Sequence, residues 1–235
     1  MVETITIKEY EDPFDIWVAQ RIARNRNVNI IITGDTGTGK TLSAITLGIS
    51  LDKRRFTSEN IVTNISDLYN KLVEKLKLDL NYKGEVIQYE EPQEEQYKMK
   101  STTHEATSFV QVLSTFRSLN MILIMTTPRQ GDMQKSARSY FDVWIQTKRI
   151  DYKKELCYCS LKIGSYDESS GKMKWEFMRI RYKGELCIMN EVMFRLPPKE
   201  ISDAYEQSKK VFQLDSYETK LKTIRRKHKK QEADF

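Results

Sequence analysis

The sequence predicts an α/β fold in which helices cover both faces of a mostly parallel sheet. Three observations support this. Short apolar runs alternate with amphipathic segments up to about residue 150. The first of these runs, residues 28–32, leads directly into a glycine-rich loop and a helical segment. Beyond residue 150, strand-like segments follow one another without intervening helices, which indicates an antiparallel addition to the parallel sheet.

Length and composition limit the possible classes of protein. The 235 residues suit one α/β domain with a small appendage, and a hydrophobic content of 39 % suffices for a core. The net charge of +6 favours a polyanionic partner. The first residues lack the apolar segment of a secretory signal, and the longest apolar run, 121–125, is too short for a membrane span. We therefore expect an intracellular, soluble protein.

The first 150 residues contain most of the predicted helices and strands. Apolar and β-branched runs predict the strands, and apolar residues at helical spacing, such as Phe109, Leu113 and Phe116, predict the helices. Ser66 or Asp67 is expected to cap one helix, and Thr102 with Glu105 forms a capping-box pattern for another. The elements are, in order, helix 15–26, strand 28–33, helix 42–51, strand 61–65, helix 66–78, strand 85–89, helix 102–120, strand 121–126, helix 132–139 and strand 143–145.

The remaining residues predict a β-hairpin and a C-terminal helix. Strands are expected at 156–163, 174–182 and 185–189, with a turn at Lys183-Gly184 between the last two. Pro197-Pro198 opens a helix expected to reach about Leu214. Residues 220–230 hold seven Lys or Arg and no acid. These features divide the chain into an N-terminal segment (1–27), a main domain (28–196) and a C-terminal helix with a basic tail (197–235).

A phosphate-binding pattern, G-x-x-x-x-G-K-[ST], is the strongest functional signal. It lies between a predicted strand and a predicted helix, the context in which such loops bind phosphate groups. Its glycines let backbone N–H groups turn inward, and the helix N-terminus adds partial positive charge. We expect Lys40 to reach the β- and γ-phosphates of ATP and Thr41 to ligate Mg²⁺. The phosphate loop comprises Gly34, Asp35, Thr36, Gly37, Thr38, Gly39, Lys40 and Thr41.

Two consecutive acids, Glu90 and Glu91, end the apolar strand 85–89. The carboxyl end of this strand is expected beside the phosphate loop, because ligands bind at that edge of a parallel sheet. Glu90 is then a candidate ligand for Mg²⁺, and Glu91 a candidate base for the attacking water. An acidic turn before Pro92 is the alternative interpretation.

Three further residues are candidates for sensing or stabilising the γ-phosphate. Thr127 ends strand 121–126 and is expected between the phosphate loop and the acidic strand. Arg117 precedes that strand and Arg138 follows it, so each is a candidate to offer its charge to the nucleotide of a neighbouring subunit. Ordinary polar strand ends and solvated surface arginines are the alternatives.

The three cysteines are too few for a disulfide framework. Cys157 and Cys159 lie two apart on one face of a predicted strand, and Cys187 lies on another strand. A zinc site requires further ligands, and His104 and His228 lie in unrelated contexts. We expect buried, unlinked thiols.

The chain resembles the FtsK/HerA-type ATPases over residues 28–150. The landmarks are the phosphate loop, the segment 62–65, the acidic strand 86–91, the segment 121–129 and Arg138. Within that class it looks like the zonula-occludens-toxin-like phage assembly ATPases and the genome-packaging ATPases of archaeal viruses. The resemblance implies a P-loop NTPase three-layer sandwich, here with an added β-hairpin and a C-terminal helix.

The resemblance also implies a function. Such ATPases form rings, commonly hexamers, that move double-stranded DNA with ATP and Mg²⁺, and viral members work with capsid or assembly proteins. The expected location is the cytoplasm, or the host cytoplasm for a viral protein. Two positions depart from the family pattern, since Glu90 replaces the usual Asp and Thr127 stands where many members have Gln. Both bear on catalytic efficiency more than on fold.

Two other classes of function are compatible with a phosphate loop. The first is a nucleotide-switched binding protein without motor activity, similar to a replication initiator, a helicase loader or a virion-assembly factor. The second is a small-molecule or nucleotide kinase, which is disfavoured because no arginine-rich lid follows the phosphate loop. Stimulation of ATP hydrolysis by double-stranded DNA discriminates a motor from a switch.

Overall fold

The computed structural model describes residues 12–53, 55–78, 82–90, 104–133, 135–182 and 184–233. The chain divides into two compact units, one ending at Pro197 and the other beginning at Pro198. The first contains the sheet and its flanking helices. The second is a single long helix.

Nine strands form the sheet within the described residues, in the order β2-β3-β4-β1-β5-β6-β7-β8, with β9 paired to β6. The pairs among β1 to β5 are parallel, and the pairs from β5 onward are antiparallel. This confirms the predicted mostly parallel sheet with an antiparallel addition. The strands are β1 (Val28–Thr33), β2 (Ile61–Val62), β3 (Val86–Glu90), β4 (Ile122–Thr127), β5 (Val143–Asp151), β6 (Leu156–Asp167), β7 (Lys172–Tyr182), β8 (Glu185–Met189) and β9 (Glu191–Arg195).

The central strands are fully buried, as expected for a parallel sheet covered on both faces. Every residue of β1 and β4 is buried. Because these strands are parallel and in register, Thr33 lies opposite Thr127, and Thr126 lies opposite Glu90. The carboxyl ends of β1, β4 and β3 therefore meet at one edge of the sheet, which is where the predicted site residues belong.

Helices cover both faces of the sheet and complete three layers. One face packs against α3, α4 and α5 through a cluster that includes Leu68, Leu72, Phe109, Leu113 and Phe116. The helices α1 and α2 contact each other and lie on the opposite face. Their bounds are α1 (Pro13–Ala23), α2 (Lys40–Leu51), α3 (Ile65–Leu78), α4 (His104–Leu119) and α5 (Lys135–Arg138).

Capping residues set several helix ends, and one prediction about them is wrong. The cap of α3 is Asn64, whose side-chain oxygen accepts the N–H of Asp67 at 2.8 Å, and not Ser66 or Asp67. β2 ends at Val62 and not at the predicted residue 65, because Asn64 caps α3 and belongs to the start of that helix. Asn120 takes a left-handed φ of 52° directly after α4, as its position in the sequence predicts. The predicted capping box at Thr102 lies outside the described residues.

The antiparallel half differs from the prediction mainly in extent. β5 runs six residues beyond the predicted end at 145, and β6 continues to Asp167. The added part of β5 pairs with β6 and the added part of β6 pairs with β7, which local sequence patterns do not reveal. The predicted hairpin is confirmed, since β7 pairs with β8 across the turn that contains Gly184. The exposed and half-buried strand β9 escaped prediction because it follows β8 after only one residue.

The second unit is the helix α6 (Lys199–Ala233), which spans 35 residues. It extends well past the expected end near Leu214 and includes the basic segment 220–230. The segment contains neither Gly nor Pro and is rich in Lys and Arg, which are good helix formers. No helix among the described residues is both long and apolar enough to cross a membrane.

Candidate functional site

The phosphate loop lies at the carboxyl edge of the central strands, between β1 and α2. Gly37 and Gly39 have φ angles of 80° and 92°, which side chains with a Cβ rarely adopt, so the glycines shape the turn. The loop is tied to the neighbouring strand because Gly34 N–H donates to the carbonyl of Pro128 at 3.2 Å. Gly39 directly precedes α2, whose first N–H groups have no intrahelical partner and suit a bound anion.

The side chain of Lys40 folds back onto the start of the phosphate loop. Its Nζ donates to the carbonyl oxygens of Gly34 at 2.8 Å and of Asp35 at 2.9 Å. The ammonium group is thus held over the same concave surface that the loop N–H groups border. Phosphate oxygens entering this space meet one full positive charge and the positive end of α2.

Thr41 and Glu90 meet directly across the site. The Thr41 hydroxyl donates to Glu90 Oε1 at 2.8 Å. Glu90 is the last residue of strand β3. Its side chain, one methylene longer than that of Asp, reaches Thr41 in the first turn of α2. Hydroxyl and carboxylate oxygens are the donors that Mg²⁺ prefers, so these two residues fit an Mg²⁺ site at the mouth of the phosphate loop. We call this pair the oxygen flank.

Thr127 occupies the predicted position between the two motifs. It ends β4, which lies between β1 and β3, and its side chain is buried. Its hydroxyl is directed at the carbonyl of Arg129, 3.5 Å away. Thr127 therefore lies level with the start of the phosphate loop, beside Thr33.

The other predicted residues are placed differently. Glu91 lies outside the described residues. Arg117 is exposed in the last turn of α4. The guanidinium of Arg138 donates to the carbonyl oxygens of Gly131, at 3.0 Å, and Met133, at 2.9 Å. Arg138 thus holds the turn after β4, and any action on a neighbouring subunit requires breaking those bonds.

A second flank of the phosphate loop comes from the antiparallel strands. Thr147 on β5 contacts the Thr38 hydroxyl at 2.7 Å and donates to the Thr33 carbonyl at 3.1 Å. A Cβ on Gly34 would lie 2.1 Å from Thr147 Oγ1, so only glycine allows this close approach. Sequence reasoning missed Thr147, since it lies 109 residues from Thr38 and no local pattern marks it.

Two buried thiols on β6 complete this second flank, which we call the thiol flank and define as Thr147, Cys157 and Cys159. The Cys157 thiol donates to the Thr38 carbonyl at 3.3 Å, and a Cβ on Gly39 would lie 2.9 Å from Cys157 Sγ. The two sulfurs are 3.8 Å apart. Both thiols are free, as the sequence predicts, while Cys187 is only half-buried.

The two thiols differ in acidity. A hydrogen bond from Cys159 lowers the pKa of Cys157 to about 7, although burial acts in the opposite direction. The hydrogen bond to Cys157, burial and the nearby charge of Cys157 all raise the pKa of Cys159. Cys157 is therefore the more readily ionised sulfur of the pair.

The fold and the site together define a P-loop NTPase. The defining features on this chain are a phosphate loop between β1 and α2, an acidic strand β3, and an intervening strand β4. The predicted fold class is therefore confirmed.

Comparison with known proteins finds similarity at the level of structure alone. No protein-family model matches the chain, and no curated protein does. The N-terminal domain of zonular occludens toxin from Neisseria meningitidis matches with 16 % identity and a TM-score of 0.41, covering 68 % of this chain and 97 % of that one.

Two viral structures match over a similar range. The DNA-packaging ATPase of Sulfolobus turreted icosahedral virus shows 16 % identity and a TM-score of 0.40 over 65 % of this chain and 98 % of that one. The genome-packaging NTPase of Sulfolobus turreted icosahedral virus 2, in complex with ATP-gammaS, shows 16 % identity and a TM-score of 0.39 over 64 % and 96 %. Both branches of the predicted resemblance are thus among the matches, and the similarity concerns the fold.

Proposed function

We propose that this protein is a Mg²⁺-dependent ATPase that moves or packages double-stranded DNA. The observation that carries the ATPase part is the contact between Thr41 and Glu90, 2.8 Å apart at the mouth of the phosphate loop. It joins the hydroxyl and the carboxylate expected around a nucleotide-bound Mg²⁺. A glycine-rich turn without nucleotide chemistry has no need for this pair.

In this proposal each residue of the site has its own role in ATP hydrolysis. Lys40 and the N–H groups at the start of α2 bind the β- and γ-phosphates. Thr41 and Glu90 would hold Mg²⁺, which would neutralise charge that develops on the phosphate oxygens. Glu91 takes the proton of the attacking water, and Thr127 orients the γ-phosphate from the tip of β4. Arg117 or Arg138 supplies a charge to the nucleotide of a neighbouring subunit in an oligomeric ring.

The DNA part rests on charge and resemblance. The chain carries a net charge of +6, and seven basic residues fall within eleven positions of α6. Such a segment can neutralise several phosphates of a duplex without reading its sequence. Solved packaging ATPases share the fold. A nucleotide-switched protein without motor activity is the competing function, since a basic helix also suits an acidic protein partner.

ATPase assays with separate effectors test this proposal. We expect turnover to rise several-fold with double-stranded DNA and less with single-stranded DNA or RNA. Light scattering with ATP should show a mass of several subunits, consistent with a hexameric ring. Slow turnover that ignores DNA, in a monomer that still binds ATP, would point to the switch instead.

The basic segment is tested by truncation after Thr219. The shortened chain should keep its ATP affinity and bind duplex DNA more weakly, with a smaller salt dependence, because fewer counterions are released. Fluorescence anisotropy on duplexes of unrelated sequence, across a salt series, measures both quantities. A matched full-length variant with Gln at the seven basic positions keeps the length of α6, so equal losses in both variants assign the effect to charge. An unchanged salt slope in both would remove this segment from the DNA contact. The exchanged residues are Lys220, Lys222, Arg225, Arg226, Lys227, Lys229 and Lys230.

A further inference from the structure

The thiol pair behind the phosphate loop is chemistry that ATP hydrolysis does not use. Cys157 and Cys159 are both buried, and their sulfurs are 3.8 Å apart. Strand geometry places side chains two apart on the same face, so the pair is a consequence of their spacing on β6. Their surroundings are the phosphate loop itself and the first turn of α2, where the Ser43 hydroxyl lies 3.8 Å from Cys159 Sγ.

We propose that Cys157 and Cys159 form a reversible oxidation site in which a disulfide weakens nucleotide binding. This inference rests on the proposed nucleotide site, because the thiols act through the phosphate loop. The oxidant is a peroxide, because both cysteines are buried and a small oxidant needs a smaller opening to reach them than a disulfide reagent does. The peroxide acts as a two-electron oxidant, and the product is an intramolecular disulfide.

The chemistry balances in two steps. The Cys157 thiolate attacks one peroxide oxygen, the O–O bond breaks, and hydroxide leaves, which converts Cys157 to a sulfenic acid. The Cys159 sulfur then attacks the Cys157 sulfur, the S–O bond breaks, and water leaves. Two thiols and one hydrogen peroxide become one disulfide and two waters. The readily ionised Cys157 suits the first step, because the thiolate is the nucleophile.

The strand permits this bond without favouring it. Residues two apart on a β-strand have Cα atoms about 6.4–6.8 Å apart. A disulfide tolerates Cα separations up to about 6.8 Å but needs Cβ atoms about 3.5–4.5 Å apart, so the bond forms only when β6 puckers between the two cysteines. Strained disulfides are the readily reduced and regulatory ones. Closing the pair therefore tightens β6 locally and remains reversible.

Formation of the disulfide affects the phosphate loop through Thr38 and Gly39. The Cys157 thiol donates to the Thr38 carbonyl at 3.3 Å, and oxidation removes that proton and draws the sulfur toward Cys159. The backbone of Gly39 lies against the same sulfur, where a Cβ would come within 2.9 Å. A shift of Cys157 thus removes a support of the loop that holds the phosphates. By linkage, nucleotide that holds the loop in place must disfavour oxidation to the same extent.

The experiment uses the full chain carrying Cys187→Ser, which leaves only the two thiols of interest. Hydrogen peroxide should lower the count of free thiols from two to none, with peptide mapping that joins Cys157 to Cys159. Affinity for a fluorescent ATP analogue should fall about tenfold, which corresponds to about 1.4 kcal/mol. Dithiothreitol should restore it. Saturating ATP with Mg²⁺ should slow the loss of thiols.

Matched variants separate this proposal from general oxidative damage and from failure of the proposed function. Cys159→Ser lacks the second thiol, so peroxide should produce no disulfide, and Cys157→Ser should resist peroxide altogether. Free thiols that persist after peroxide in the Cys187→Ser protein, or a disulfide that leaves affinity unchanged, would overturn the inference. A reduced protein that fails to bind ATP would instead overturn the proposed function, while the thiol count would still test whether the pair is oxidised.

Discussion

The two flanks of the phosphate loop are built from different chemistry and different parts of the sheet. The oxygen flank, Thr41 and Glu90, comes from α2 and the parallel strand β3, and its donors suit a hard cation. The thiol flank comes from β5 and β6, where Thr147 contacts the Thr38 hydroxyl and Cys157 donates to the Thr38 carbonyl. In the proposed function the oxygen flank acts on the reacting phosphates, and the thiol flank supports the loop. Changes on the first should alter chemistry, and changes on the second should alter affinity.

Lys40→Ala should produce the largest effect, because in the proposed site Lys40 supplies the full positive charge to the phosphates. We expect ATP affinity to fall by about 100-fold or more, which charge-assisted contacts to phosphate justify. Isothermal titration measures the loss. Lys77→Ala, an exposed lysine on α3, is the control for removal of one charge. An affinity within twofold of the parent would refute the assignment of the whole site.

Substitution of Glu91, which follows Glu90 of the oxygen flank in sequence, tests the proposed catalytic base. Glu91→Gln should slow hydrolysis by about 10²-fold while ATP binding stays intact, since it removes a base and keeps its shape. Single-turnover kinetics separates the two effects. If turnover stays near that of the parent, Glu91 is not the base and Glu90 becomes the candidate.

Glu90→Asp is the companion test of the departure from the family pattern. Glu90 already reaches Thr41 at 2.8 Å, so a side chain shorter by one methylene should withdraw the carboxylate from that position. We expect lower turnover and a higher Mg²⁺ requirement in a titration of the cation. Faster turnover would show that the longer acid is a handicap.

Thr147→Val tests the thiol flank without cysteine chemistry. It removes the hydroxyl that contacts Thr38 and Thr33 and should lower ATP affinity about fivefold, in line with about 1 kcal/mol for a lost hydrogen bond. Turnover at saturating ATP should stay within twofold of the parent. Thr147→Ser retains the hydroxyl and is the matched control. A lower turnover at saturating ATP, with unchanged ATP affinity, would contradict the expectation that the thiol flank affects ATP binding and not hydrolysis.

Substitution of Asp15 should have the smallest effect on ATP binding and hydrolysis. It should instead change the stability of the fold. Asp15 accepts a hydrogen bond from Ser50, far along α2 from the loop, and burial raises its pKa from 3.8 to about 6. A raised pKa of an acid means that the folded protein binds the proton more tightly than the unfolded chain. Its contribution to stability is therefore complete below pH 3.8 and is lost as the pH rises through 6.

Asp15→Asn should accordingly stabilise the protein by about 2 kcal/mol near pH 7 and hardly at all near pH 4. Urea denaturation at the two pH values measures the difference. ATP affinity should not change, because Asp15 touches neither flank. A stabilisation that is equal at both pH values would show that the charge of Asp15 is not its cause.

Local patterns predicted the fold class and the oxygen flank because each depends on neighbours in sequence. The phosphate loop turns where its glycines allow positive φ, and Glu90 ends the strand that its apolar residues build. Patterns also predicted the core face of α4, since Phe109, Leu113 and Phe116 recur at helical spacing and are all buried. They failed at Asn64, where a cap looked like the end of a strand, and at β9, which follows β8 after only one residue.

The sequence by itself determined which residues are expected to bind phosphate, because a motif combines the backbone freedom of glycine with the charge of Lys40 in eight consecutive positions. Only the tertiary structure decided what supports that motif. Thr147 and Cys157 reach the loop because β1 pairs with β5 and β5 pairs with β6, which brings them to Thr38, 109 and 119 positions away. Such pairings depend on the summed burial of whole strands and not on any local preference, so no short stretch of sequence contains them.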